Sequence, residues 1–181
     1  AAALAHLGDI YVDDAFGVAH REHASVVGIA RLLPSVAGFL MENEVSYLHG
    51  LLHNPARPFV AILGGNKISD KLNVIGNFQD LVDTLLIGGG MIFTLMKADG
   101  MCIGKSIVED DMLEQAGDMM SESGGKRATM LLPEDMVVAD DYKADAKSKV
   151  VGAPFIPEGW MGLDIGPGTL GRFSQLIAPA K

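Results

Sequence analysis

Short continuous apolar runs alternate with longer stretches of amphipathic spacing along most of this chain. The runs at Ile10–Val12, Phe59–Leu63, Thr84–Ile87, Thr129–Leu132, Met136–Ala139 and Met161–Ile165 predict strands. Helices are predicted over Ser69–Val82, Met91–Ala98, Asp111–Ser121 and Thr169–Ile177. Ser69 and Asp111 are placed to cap two of them through side-chain oxygens. Gly100 stands where the helix ending at Ala98 would need a left-handed turn. A strand–helix alternation of this kind calls for a parallel α/β sheet with right-handed crossovers.

Between the first strand and the second lies a long amphipathic stretch, Ser35 to His53, with apolar Val36, Phe39, Leu40, Leu48 and Leu51. Asn54-Pro55-Ala56-Arg57-Pro58 stops it, because proline cannot continue the helical ladder. Periodicity leaves two readings open. The helix either connects two domains or packs on the sheet of one.

The octet Gly64-Gly65-Asn66-Lys67-Ile68-Ser69-Asp70-Lys71 follows a buried-type strand directly. Glycines allow close backbone approach to a ligand, and a helix start offers N–H groups to an anion. Lysines at i and i+4 would share one helix face, where an anion relieves their repulsion. This reads as a phosphate site rather than a tight turn before a solvated helix. It is not a Walker A loop, since Lys67 follows one residue after the glycine pair.

Composition narrows the class. The 181 residues are 49% hydrophobic, enough for a substantial core, and carry a formal charge of −9. No basic stripe offsets that charge, which argues against a nucleic-acid partner. The one cysteine, Cys102, excludes an internal disulfide, suits a reducing compartment and reads as a small packing residue. No signal peptide or membrane span is evident, so a cytoplasmic protein without a membrane partner is expected. The ten methionines read as core filler.

Other near-motifs carry less. Gly100-Met101-Cys102-Ile103-Gly104-Lys105-Ser106 ends like a P-loop but has the wrong glycine spacing and follows a helix. Gly166-Pro167-Gly168-Thr169-Leu170-Gly171 matches a dinucleotide fingerprint. The acidic residue expected about twenty positions on would fall beyond Lys181, and Pro167 would stiffen the turn, so a chance match is the better reading over an NAD-dependent oxidoreductase. His20 with His23, and His49 with His53, lack a third ligand in the same segment, so no metal site is expected. His20 beside Arg21 suits an anion.

Several ordered segments together resemble the phosphoglycerate kinase family. They are Tyr11-Val12-Asp13-Asp14-Ala15-Phe16-Gly17 leading into Ala19-His20-Arg21, the Leu33–Met41 stretch, and the octet itself. Leu86-Ile87-Gly88-Gly89-Gly90-Met91, Gly104-Lys105-Ser106, Leu132-Pro133-Glu134-Asp135 and Pro157–Pro167 follow in the family's order. Asp13 stands where asparagine is common, and Asn66 where alanine is.

The resemblance implies a three-layer, Rossmann-like parallel sheet with helices on both faces. Residues 1–34 would end an N-terminal substrate domain, 35–54 would form the interdomain helix, and 55–181 part of a nucleotide-binding domain. The reaction implied is reversible phosphoryl transfer between 1,3-bisphosphoglycerate and ADP, giving 3-phosphoglycerate and ATP. Lys71 would contact the transferring phosphoryl and Lys67 the nucleotide phosphates. Gly64, Gly65, Gly88, Gly89, Gly90, Gly162 and Leu163 would surround the nucleotide, the bare glycines admitting a flat adenine. Arg21, with His20, would bind the 3-phosphoglycerate phosphate. The magnesium ligand is expected outside these residues, and the parent protein is expected to be a monomer. The chain reads as about half of a family member, cut within domains and inactive alone. The alternative is a non-catalytic nucleotide-binding module.

Overall fold

The computed structural model describes residues 1–180. The chain divides into two compact units, Ala1–Pro55 and Ala56–Lys181.

The first unit holds α1 (Ala2–Ala5), β1 (Tyr11–Asp13), β2 (Ser35–Ala37) and α2 (Phe39–His53). β1 and β2 pair in parallel, Val12 opposite Val36. Asp14 tethers the start of α2, its Oδ1 accepting the Met41 N–H at 3.0 Å. Gly38 makes room for this, because a Cβ there would collide with the Asp14 carboxyl. The amphipathic stretch predicted from Ser35 is therefore a strand first and a helix after Gly38. Its apolar side chains stay open, Phe39 being 83% exposed.

The second unit builds two three-stranded sheets. β3 (Val60–Leu63), β4 (Thr84–Ile87) and β6 (Thr129–Leu131) pair in parallel in the order β3-β4-β6. Crossovers run through α3 (Leu72–Leu81) between β3 and β4, then α4 (Ile92–Ala98) and α5 (Leu113–Glu122) before β6. Between α4 and α5 the short β5 (Cys102–Ile103) pairs with β9 (Phe155–Ile156). The central strand β4 is apolar on both faces, and Leu85, Leu86 and Ile87 are fully buried. Helix α4 is buried over Ile92–Met96 and ends as expected, with Gly100 at φ +79°. The Met101 N–H reaches the Met96 carbonyl and the Gly100 N–H that of Lys97, closing the helix end.

The second sheet departs from the expected single parallel sheet. β7 (Asp135–Ala139) pairs antiparallel with β8 (Ser148–Gly152) on one side and β10 (Met161–Ile165) on the other. Only Leu132-Pro133-Glu134 separates β6 from β7. A parallel neighbour needs a crossover of about a dozen residues, so β7 cannot pair in parallel with β6, and it pairs with β8 and β10 instead. The fold class remains α/β.

Two charged crosslinks tie the first sheet. Asp83, just before β4, accepts Arg57 Nη1 at 2.5 Å, the Phe59 N–H at 2.8 Å and Arg127 Nη2 at 3.3 Å. These bonds, the Phe59 N–H foremost, hold its carboxyl below the usual value. Lys126 pairs with Asp80 at 2.9 Å.

Leu85 is the sharpest test of where the core sits. Leu85→Ala should lower unfolding free energy by about 2–5 kcal/mol, read as a fall in urea midpoint with unchanged slope. A loss of under about 0.5 kcal/mol would place the core elsewhere.

Candidate functional site

Parallel pairing aligns Leu63 with Ile87, so the glycine turns after β3 and β4 leave the same edge of the sheet. Ligand crevices of open α/β sheets form at such carboxyl edges. The two turns pack backbone on backbone. The Gly88 N–H donates to the Leu63 carbonyl at 2.8 Å and the Met91 N–H to that of Gly65 at 2.9 Å. Gly89 adopts φ +72°, and a Cβ on it would stand 2.7 Å from Gly65 N and O. Its missing side chain thus serves loop against loop. Gly90 is similarly close to Asn66 and Ile107, while Gly64 and Gly88 face open space.

The octet is not the helix start that its spacing suggests. Helix α3 begins at Leu72, and Ser69–Lys71 form a turn closed by the Lys71 and Leu72 N–H groups on the Ile68 carbonyl. Lys67 therefore lies in the loop, and no helix face carries both lysines. Ser69 does not cap. Its N–H and that of Ile68 are taken by Glu109 Oε2 at 3.2 and 2.5 Å, and its hydroxyl donates to Glu109 Oε1 at 2.7 Å. The two N–H groups expected to be open to an anion already have a carboxylate. The Ser69 hydroxyl, with the Ser69 and Ile68 N–H groups and nearby Lys67, keeps Glu109 below the ordinary glutamate value against the opposing effect of burial. The Lys71 stem passes Gly65, its Cε 3.8 Å from where a Cβ would be. Among the described residues, neither Lys67 nor Lys71 has an ion-pair partner within 4.0 Å.

Beside this loop lies a cleft of about 350 Å³ lined by Asn66, Gly90, Phe93, Ile107, Tyr142, Met161, Gly162 and Leu163. It brings together Gly90, Gly162 and Leu163, far apart in sequence. Gly162 has no room for a side chain, since a Cβ would meet the Phe93 ring. Its N–H donates to the buried Ser106 hydroxyl at 2.9 Å. The strand bulges between Gly162 and Asp164, and this aims half-exposed Leu163 at the cleft. Tyr142, 83% exposed, overhangs it from the β7–β8 loop.

Sequence reasoning missed Glu109, Ser106, Tyr142, Phe93 and Ile107. The Gly104-Lys105-Ser106 decoy is a positioning element. Gly104 adopts φ +55° beneath the Pro157 and Trp160 carbonyls, and the Lys105 N–H donates to the latter at 2.8 Å. Asp111 does not cap α5, whose first flanking residue is Met112. The dinucleotide-like glycines start α6 (Pro167–Ile177), where the Asp135 carboxylate accepts the Gly168 N–H at 2.9 Å, the Thr169 N–H at 2.7 Å and the Thr169 hydroxyl at 2.6 Å. That helix start is already filled by an anion. Burial pushes the Asp135 carboxyl up, but these hydrogen bonds outweigh it and hold the group low.

In the first unit, Arg21 and His20 are exposed, with Arg21 Nε 3.4 Å from His20 Nε2. His49 and His53 stack at 3.9 Å on α2. Cys102 is exposed rather than packed. The described residues contain no group of three metal-ligating side chains, and no helix among them is long and apolar enough to cross a membrane.

Comparison with known proteins agrees across the chain. The family model for phosphoglycerate kinase matches residues 1–181. A cytosolic phosphoglycerate kinase 3 of Arabidopsis thaliana is 52% identical over 98% of this chain and 45% of its own length. The phosphoglycerate kinase of Chlorobium phaeobacteroides (strain BS1) is 54% identical over the same shares. The solved structure of phosphoglycerate kinase from Coxiella burnetii superposes with a TM-score of 0.88 at 39% identity, covering 98% of this chain and 46% of that one. The chain spans about half the length of the curated relatives it matches.

Asp83, Glu109 and Asp135 all hold protons less tightly folded than unfolded. Their stabilisation is complete above the ordinary carboxylate range and is lost as pH falls through the lowered values. Melting temperature should therefore hold from about pH 7 to about pH 5 and then fall. Asp135→Asn should start lower and fall less steeply; an unchanged slope would contradict the assignment.

Proposed function

We propose, because this chain belongs to the phosphoglycerate kinase family, that it supplies the nucleotide side of a reversible phosphoryl transfer between 1,3-bisphosphoglycerate and ADP. The supporting observation is the shared carboxyl edge of β3 and β4. There the Lys67–Lys71 loop adjoins a cleft with aromatic and glycine walls, and Asn66, directly before the loop, lines the cleft.

Phosphoryl transfer asks a protein mainly for alignment, exclusion of water and positive charge on the moving oxygens. The adenine of ATP or ADP would occupy the cleft between Gly90, Phe93 and Ile107 on one side and Gly162 and Leu163 on the other. Gly64, Gly65, Gly88 and Gly89 would bring backbone close to the ribose and phosphates. Lys67 would hold nucleotide phosphates. Lys71 would meet the transferring phosphoryl group, its charge free because no carboxylate neutralises it among the described residues. Exposed Arg21, with His20, would take the 3-phosphoglycerate phosphate from the substrate side. Magnesium would arrive with the nucleotide to offset phosphate charge, and the described residues gather no carboxylate cluster to hold it. Residues 1–34 would close a substrate domain, 35–54 connect it, and 55–181 bind nucleotide. Similarity to a cytosolic relative supports a cytoplasmic site of action.

Lys71→Ala in the complete protein separates this from a nucleotide-binding module without chemistry. Loss of a transition-state charge contact should lower kcat by about 10²–10³-fold while nucleotide affinity changes about tenfold or less. Near-normal turnover would remove Lys71 from the reaction.

A further inference from the structure

The segment Gly104–Asp110 touches both halves of the proposed site. At one end Ser106 holds the Gly162 N–H at 2.9 Å, and Ile107 lines the cleft. At the other end Glu109 grips the lysine loop through the Ile68 N–H, the Ser69 N–H and the Ser69 hydroxyl. The segment is itself anchored to the buried helix α4. The Glu109 N–H donates to Thr94 Oγ1 at 3.1 Å, with Thr94 1% exposed, and Lys97 pairs with Asp110 at 2.7 Å.

We propose that Glu109 is a positioning residue for the phosphoryl-transfer lysines, fixing the Lys67–Lys71 loop from across the chain. This rests on the function proposed above. Ile68 is the pivot. Its side chain is fully buried, and its carbonyl accepts the Lys71 N–H at 2.8 Å and the Leu72 N–H at 3.0 Å. Those contacts fix the loop centre and the peptide plane between Ile68 and Ser69, but leave the plane between Lys67 and Ile68 free to turn. The carboxylate removes that freedom by accepting the Ile68 N–H, and its bonds to the Ser69 N–H and hydroxyl reinforce the plane that follows. Lys67 and Lys71 flank the gripped residues, so a turn at this point would displace both ammonium groups together. No local pairing substitutes for it, since α3 has no side-chain cap at its start. Glu109 itself binds no phosphate in this account. Its negative charge faces N–H groups rather than ligand, and the arrangement spends two anion-binding N–H groups to hold two cations in place.

The test compares Glu109→Ala, Glu109→Gln and Ser69→Ala in the complete protein, with kcat, KM for ATP, KM for 3-phosphoglycerate and melting temperature for each. Misplaced catalytic cations should lower kcat of Glu109→Ala roughly ten- to hundredfold, with KM for 3-phosphoglycerate unchanged. Glu109→Gln should restore most of kcat, since its amide oxygen accepts the N–H groups and its NH₂ can donate to the Ser69 oxygen. Ser69→Ala, which leaves the two N–H bonds in place, should lose about two- to fivefold. If Glu109→Ala does not fold, the Ser69→Ala loss and the Glu109→Gln retention decide. A cap of purely structural value would lower the melting temperature and leave kcat within twofold at a temperature where the variant is folded. That result, or Ser69→Ala with native kcat, overturns the inference. An unmodified protein with no 3-phosphoglycerate-dependent ATP turnover would instead reject the proposed function itself.

Discussion

The rest of the site depends on the contact between two glycine turns at one sheet edge. Parallel register places Leu63 beside Ile87, so the chain leaves both strands at the same level. With ordinary side chains the turns would splay apart. Gly89, at φ +72° and with Gly65 backbone 2.7 Å from any Cβ, lets them close. The Met91 N–H then bonds the Gly65 carbonyl, and the buried helix α4 starts from that junction. The lysine loop thereby inherits the rigidity of the core. Flexibility at that point would remove the fixed placement that phosphoryl transfer needs.

From this junction the second sheet is brought in by a few specific bonds. Ser106 and Lys105 reach the Gly162 N–H and the Trp160 carbonyl, drawing β10 against Phe93. Gly162 admits the Phe93 ring, and the bulge after it turns Leu163 toward the cleft. A cleft wall from one sheet and the lysine loop from the other are thus set by one connecting segment. Asp135 anchors the far side by filling the start of α6. A carboxylate therefore occupies the helix start that most resembles a dinucleotide site, and another grips the loop that most resembles a phosphate site. In both places the backbone donors serve the fold. Among the described residues Lys67 and Lys71 keep no ion-pair partner.

Much of this was legible in sequence where the signal is local. Thr84–Ile87 and Met161–Ile165 appear with the expected bounds, the first as a short apolar run bounded by the Gly88-Gly89-Gly90 turn, the second between Gly159 and Gly166-Pro167. The left-handed Gly100 follows from helix-end chemistry. The failures are non-local. Ser69 and Asp111 have cap-like side chains, but Glu109, 40 residues away, claims Ser69, and a helical turn at Asp110–Met112 precedes α5. β8 contains Ser148 and Lys149 and lies at a sheet edge, so it lacks an apolar signature. That β7 is no parallel neighbour of β6 was readable from the three-residue link, a length rather than a composition signal. Glu109 was hidden in the acidic run Glu109-Asp110-Asp111, where only its partners distinguish it.

The central claim is that the β3–β4 edge and the Gly162 wall form one nucleotide site with Lys67 and Lys71 at its phosphate end. The most direct test is a crystal structure of the complete protein with a non-hydrolysable ATP analogue. The account predicts the base in the cleft between Gly90, Phe93 and Gly162, with the terminal phosphates within hydrogen-bond reach of Lys67 and Lys71. A nucleotide seated at the start of α6, or one whose phosphates point away from both lysines, would contradict it.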